Sequence, residues 1–149
     1  MADSFDEVYQ GLAALKAEDF DDCTPGFNGL ERLDSLTTEL RGLPNPERGI
    51  RALFDVMERM PDADLGSPGP LVHTLEALTG YELELAESIK RMPTPLAVWM
   101  INRILNVTKP RERRDFWINL LQFACEHPKS SESVKDEALH FVEYQKKFD

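Results

Sequence analysis

Apolar side chains recur every three or four residues along most of this 149-residue chain. That spacing places them on one face of an α-helix, and the two-residue alternation of a half-buried β-strand is nearly absent. The pattern therefore predicts an all-α protein. The clearest series are Leu30, Leu33, Leu36 and Leu40, and then Ile50, Leu53, Phe54 and Met57.

Helix-start signals divide the chain into about eight helices. Asn45-Pro46 and Thr94-Pro95 each put a capping residue before a proline at the first helical position. Thr108 is predicted to cap the seventh helix, with Phe116 and Phe123 facing inward. Short connections favour antiparallel neighbours, so we expect either HEAT-like stacked helix pairs or an irregular helical bundle.

The length suits a single domain, residues 1–149. The segment "PDADLGSPGP", residues 61–70, holds three prolines and two glycines and is predicted to be a loop. It marks a possible boundary between two subdomains.

The charge is strongly negative and unevenly distributed. The formal net charge is −10, and residues 1–89 alone carry 19 acidic against 6 basic residues. Residues 90–114 form a basic band, with seven Lys or Arg against one Glu. We expect most of this band to pair with acidic groups of the same chain. The overall charge repels phosphates, so no nucleic-acid partner is expected, whereas a basic protein is a suitable one.

A cytoplasmic location is predicted from the cysteines, the N-terminal sequence and the length of the apolar runs. Cys23 and Cys125 lie far apart and form no disulfide or metal-binding pattern, which fits a reducing cytoplasm where both pack as small apolar groups. The acidic N-terminal sequence lacks the features of a secretory signal. The longest apolar run, 95–101, is far shorter than the roughly 20 residues that span a bilayer. No membrane association is expected.

No catalytic motif is recognisable. The three histidines lack metal-binding spacing, and neither a nucleophile elbow nor a phosphate-binding loop occurs. His73, in an apolar helix, is expected to be half-buried. We therefore predict no enzyme, no metal and no cofactor. A helical hydrolase that uses scattered carboxylates is the lowest-ranked alternative.

The segment "PTPLAVWMINRILN", residues 93–106, is apolar around almost its whole circumference. Such a helix is buried between neighbours. Its polar and aromatic members, Trp99, Asn102, Arg103 and Asn106, are therefore predicted to be structural. Burial of Arg103 requires a carboxylate partner, for which Glu84 or Glu87 is suitable. Asn106 is predicted to end the helix in the left-handed conformation.

The segment "EDFDD", residues 18–22, holds four carboxylates around Phe20. A solvated surface is the usual role of such a cluster. The functional alternative is recognition of a basic protein, in which an aromatic side chain provides an anchor and carboxylates guide association. The predicted contact residues are Asp19, Phe20, Asp21, Asp22, Asp62, Asp64, Glu82 and Glu84.

The segment from Leu71 to Asn106 resembles small all-helical immunity proteins of bacterial polymorphic toxin systems. The matching features are "GYELELAESIKRMPT" and "WMINRILN", which are mostly core-forming. The resemblance implies a cytosolic protein that binds and neutralises a cognate toxin domain by stoichiometric occlusion. The alternative is a helical-repeat scaffold or adaptor that binds another host protein.

Overall fold

The computed structural model describes residues 4–149 and is all-helical, as predicted, with no strand in that range. Two short 3₁₀ helices, Ala17–Phe20 and Pro46–Gly49, precede α2 and α3 respectively. The α-helices are α1 Ser4–Ala14, α2 Gly29–Arg41, α3 Ile50–Arg59, α4 Gly69–Ala77, α5 Tyr81–Arg91, α6 Pro95–Asn106, α7 Arg111–Glu126 and α8 Glu132–Lys146.

The chain forms two compact units, one up to Glu84 and one from Leu85 onward. The division therefore falls within α5. The proline-rich segment at 61–70, considered above as a boundary, lies inside the first unit.

In the first unit, α1 packs against α2 and α3, and α4 packs against α2 and α3. Its core contains the predicted helical series on α3 together with Val8, Leu12, Leu33 and Leu40. Leu30 differs from the prediction, because 40% of its surface is exposed. It stands in the first turn of α2.

In the second unit, α6, α7 and α8 pack against one another. The predicted burial of α6 is confirmed. Its buried residues are Ala97, Val98, Met100, Ile101, Asn102, Ile104 and Leu105. The start of α6 also follows the prediction, since buried Thr94 accepts a hydrogen bond from Ala97 N at 3.3 Å through its side-chain oxygen.

Two predictions about helix ends are wrong. Asn106 is the last residue of α6 and is not left-handed, because only Asn45 among the described non-glycine residues has a positive φ. Pro110, not Thr108, occupies the cap position of α7. The Thr108 hydroxyl instead donates to Ile104 O at 2.6 Å and so closes the end of α6.

The inward face of α7 also differs from the prediction. Phe116 and Phe123 are 51% and 45% exposed, and Trp117, Ile118 and Leu121 are buried in their place. The core-facing stripe is therefore rotated by about one residue. None of the helices described combines the length and the apolar composition that a membrane crossing requires.

Candidate functional site

The first unit contains a groove with a volume of about 750 Å³. The 3₁₀ helix Ala17–Phe20, the turn after it, the start of α2 and residues 59–64 form its walls. Five of the eight predicted contact residues line it, although they come from two distant parts of the sequence. These five are Phe20, Asp21, Asp22, Asp62 and Asp64. We refer to this feature as the acidic groove.

Gly29 allows the 3₁₀ helix to lie directly against the start of α2. A Cβ atom at position 29 would stand 2.7 Å from Asp19 O and 2.7 Å from the nearest ring atom of Phe20. Both distances are too short for any side chain. The absence of a side chain at this position therefore fixes where Phe20 enters the groove.

Asp19 holds the 3₁₀ helix in shape rather than lining the groove. Its carboxylate accepts a hydrogen bond from Lys16 N at 2.9 Å and lies 3.4 Å from Arg32 Nη1. Glu82 and Glu84, also predicted as contacts, lie in the first turn of α5 and do not line the groove either. Glu84 is half-buried.

Among the described residues, Arg59 is the one basic residue in the groove wall. Its guanidinium donates to Leu12 O at 2.9 Å and to Leu15 O at 3.1 Å, at the end of α1. Leu12 O lies in the last turn of α1 and also accepts from Leu15 N at 3.3 Å, and Leu15 directly follows the helix. The Arg59 guanidinium therefore bonds to backbone carbonyls of the same unit.

The groove also has an apolar part that the sequence analysis missed. Phe27 is 50% exposed, and Leu30 stands beside it at the start of α2. Phe20 is half-buried, and Met60 is buried. An aromatic residue directly after the turn Pro25-Gly26 is a signal that was available, because residues in such a turn have few neighbours to cover them.

The carboxylates of the groove are partly oriented by the backbone. Asp21 Oδ1 accepts from Cys23 N at 2.9 Å, and Asp64 Oδ1 accepts from Gly66 N at 3.1 Å. Each of these hydrogen bonds uses Oδ1 of the carboxylate and not Oδ2. With Glu31 the groove has five carboxylates against one arginine, so its field is negative and favours a cation.

The Asp21 and Asp22 carboxylates and the Cys23 thiol lie within 4.8 Å of one another, and all three residues are exposed. Their proximity follows from the turn they share, in which the Cys23 thiol lies 3.6 Å from Asp22 Oδ1. The prediction that Cys23 packs as an apolar residue is wrong, whereas Cys125 is half-buried.

None of the three histidines lines the acidic groove. His73 is exposed rather than half-buried, and His140 is exposed as well. Buried His127 lies 2.8 Å from Lys90 O through Nε2, and its Nδ1 accepts from Lys129 N at 3.0 Å.

The second unit has a buried polar network built on Arg114. Its guanidinium makes five hydrogen bonds, which use all five of its N–H groups. The acceptors are Asp149 Oδ1 at 3.1 Å, Leu105 O at 2.8 Å, Thr108 O at 3.0 Å, Gln145 O at 2.9 Å and Gln145 Oε1 at 3.1 Å. Arg114 is only 7% exposed, so the enclosed arginine of this unit is Arg114 and not Arg103.

The polar residues of α6 take different positions around this network. Gln145 Nε2 donates to Asn102 Oδ1 at 2.8 Å and to Asn106 Oδ1 at 2.7 Å. Arg103 is half-buried with its guanidinium 5.5 Å from the centre of the Trp99 ring. Glu87, one of its two predicted partners, is paired with Lys90 at 3.4 Å.

A second cavity, of about 540 Å³, lies beside this network. Arg114, Asn106 and Gln145 line it, but their side chains bond to one another or to backbone carbonyls. These polar groups serve the packing of three helices. The acidic groove, with carboxylates and apolar side chains exposed together, is the stronger candidate for binding.

No protein-family model, no curated protein and no solved structure matches this chain.

Proposed function

We propose that this protein is an immunity protein that binds a cognate bacterial toxin domain and neutralises it by stoichiometric occlusion. The observation that carries the proposal is the acidic groove, in which two distant acidic segments meet around exposed apolar side chains. Protein interfaces combine apolar anchors with charged groups at their edges in this way. The resemblance of residues 71–106 to immunity proteins supplies the class of partner.

In this proposal the toxin presents a basic surface to the groove. Carboxylates on both walls attract that surface and raise the rate of encounter, while apolar contacts at Phe27 and Leu30 slow dissociation. Many toxin domains act on nucleic acids and carry a cationic active site, which an acidic inhibitor covers. Neutralisation then requires no catalytic step, no metal and no cofactor.

Co-expression with the toxin gene adjacent to this one tests the proposal. We expect the intact chain to restore growth and to co-purify with the toxin domain in a one-to-one complex. Failure of both would refute the proposal. Co-purification with an unrelated basic protein in place of the toxin would instead indicate an adaptor.

The groove is tested with charge-matched variants of the complete chain. The double variant D62N/D64N removes two carboxylates from one wall, and D136N/E137Q removes two exposed carboxylates from α8. Both change the net charge equally. We expect the first to weaken toxin binding at least about tenfold and the second to leave it unchanged. Equal effects would show that only the overall charge matters.

A further inference from the structure

We propose that the acidic groove selects arginine over lysine. Its occupant is a basic segment that lays a guanidinium group on an aromatic ring and pairs it with a carboxylate of the wall. The identity of the partner as a toxin rests on the proposed function, whereas the preference for arginine follows from the groove alone.

Two kinds of side chain meet in the groove, and arginine satisfies both. Phe20 and Phe27 provide aromatic rings, and carboxylates flank them in both walls. A guanidinium is planar, stacks on a ring and bonds a carboxylate through two N–H groups. The ammonium group of lysine is a compact and strongly hydrated charge, so it gains less from a ring and loses more water.

The walls are suited to such pairing because the backbone already orients part of them. Asp21 and Asp64 each accept a hydrogen bond from a backbone N–H two residues later. Carboxylates held in this way lose less conformational freedom when a guanidinium arrives. The guanidinium of Arg59, in the same wall, donates to the Leu12 and Leu15 carbonyls at the end of α1.

The size of the groove indicates a segment and not a single ion. A volume of about 750 Å³ lies in the range that holds a drug-sized molecule. Several consecutive side chains fit such a space. The exposed positions of Phe27 and Leu30 leave apolar surface for the aliphatic stem of an arginine or for a neighbouring apolar residue.

Two synthetic tetrapeptides of equal charge, tetra-arginine and tetra-lysine, serve as probes. Binding to the complete chain is measured by isothermal titration calorimetry at low salt. We expect tetra-arginine to bind at least about threefold more tightly, which is the size of one exposed cation–π contact. Equal affinities would overturn the proposal and leave only a negatively charged surface.

Two variants locate the preference. F27L and F20L each keep an apolar side chain but remove one ring, so the difference between the peptides should disappear in at least one of the two variants. D62N/D64N should weaken both peptides, and the matched control D136N/E137Q should change neither. A preference for arginine that persists in F27L and in F20L would also overturn the proposal.

The peptide titrations and the toxin co-expression test different claims. If the peptides are distinguished but the chain neither rescues growth nor binds the toxin, the groove has another arginine-bearing partner and the proposed function fails. If the toxin binds the chain but the peptides bind equally, the proposed function stands and the selectivity for arginine is wrong.

Discussion

The Gln145 side chain connects Arg114 of α7 to Asn102 of α6. Its Oε1 accepts a hydrogen bond from Arg114 Nη2 at 3.1 Å, and its Nε2 donates to Asn102 Oδ1 at 2.8 Å. Each end of the amide therefore has a partner of the required type, and reversal of the amide would break both bonds. Three helices of the second unit meet in this one set of polar contacts.

Arg114→Met removes the guanidinium and keeps a long apolar side chain. We expect the free energy of unfolding to fall by about 3–5 kcal/mol, because the ion pair with Asp149 and four further hydrogen bonds are lost. Two of those acceptors, Leu105 O and Gln145 O, keep a backbone donor. Arg113→Met, at the exposed position directly before Arg114, is the control and should change the free energy of unfolding by less than about 0.5 kcal/mol. Urea unfolding measures both. A loss below about 1 kcal/mol for Arg114→Met would show that the network contributes little net stability.

Gly29→Ala adds a methyl group where there is no room for one. Alanine normally favours a helix over glycine, but here its Cβ meets Asp19 O and the Phe20 ring. We expect a net destabilisation of about 1–3 kcal/mol and weaker binding of a basic partner in the acidic groove.

Gly42→Ala is the matched control for Gly29→Ala. Gly42 follows α2 with φ −85°, and an added Cβ makes only ordinary contacts there. Alanine at position 42 should be neutral or stabilise by up to about 1 kcal/mol. Thermal unfolding of both variants checks the pair, and equal shifts in Tm would contradict the role given to Gly29.

Arg59→Ala removes two hydrogen bonds to the end of α1. We expect a loss of roughly 1–2 kcal/mol and faster hydrogen exchange in the last turn of α1. Arg51→Ala on the same helix removes only an exposed pair with Asp55 and should cost about 0.3–0.5 kcal/mol. An unchanged exchange pattern in α1 would refute the assignment.

The two thiols should differ in reactivity. Burial, assisted by the nearby Glu126 charge, raises the pKa of the Cys125 thiol, so less of it is thiolate at a given pH. Cys23 is exposed. At neutral pH we expect a thiol reagent to modify Cys23 first, and modification of Cys125 to become faster as pH rises. Mass spectrometry after timed labelling measures both rates, and equal rates at neutral pH would contradict this expectation.

Periodicity was sufficient to predict the helices and the buried position of α6, because both depend on local spacing and on the amount of apolar surface. It was not sufficient for α7. Phe116 and Phe123 are the largest apolar side chains there apart from Trp117, yet they face solvent. Arg114 must face α8 to reach Gln145, and this requirement fixes the rotation of the helix.

The candidate site was predicted in part. Charge alone predicts four of the contact residues that the structure brings to one groove, namely Asp21, Asp22, Asp62 and Asp64. Asp19, from the same acidic run, caps the 3₁₀ helix instead. The backbone of one 3₁₀ turn decides which carboxylates of the acidic segment 18–22 point outward. Phe27 was missed because it belongs to no periodic series.

Arg114 also links the mobility of two helix ends. Leu105 O lies in the last turn of α6 and Gln145 O in the last turn of α8, and the same guanidinium bonds both. Opening of either end leaves part of the Arg114 guanidinium without an acceptor, so the free energies of opening the two ends are coupled. We therefore expect opening of the last turn of α6 to favour opening of the last turn of α8, so that two separate stretches of the chain become exposed to solvent together.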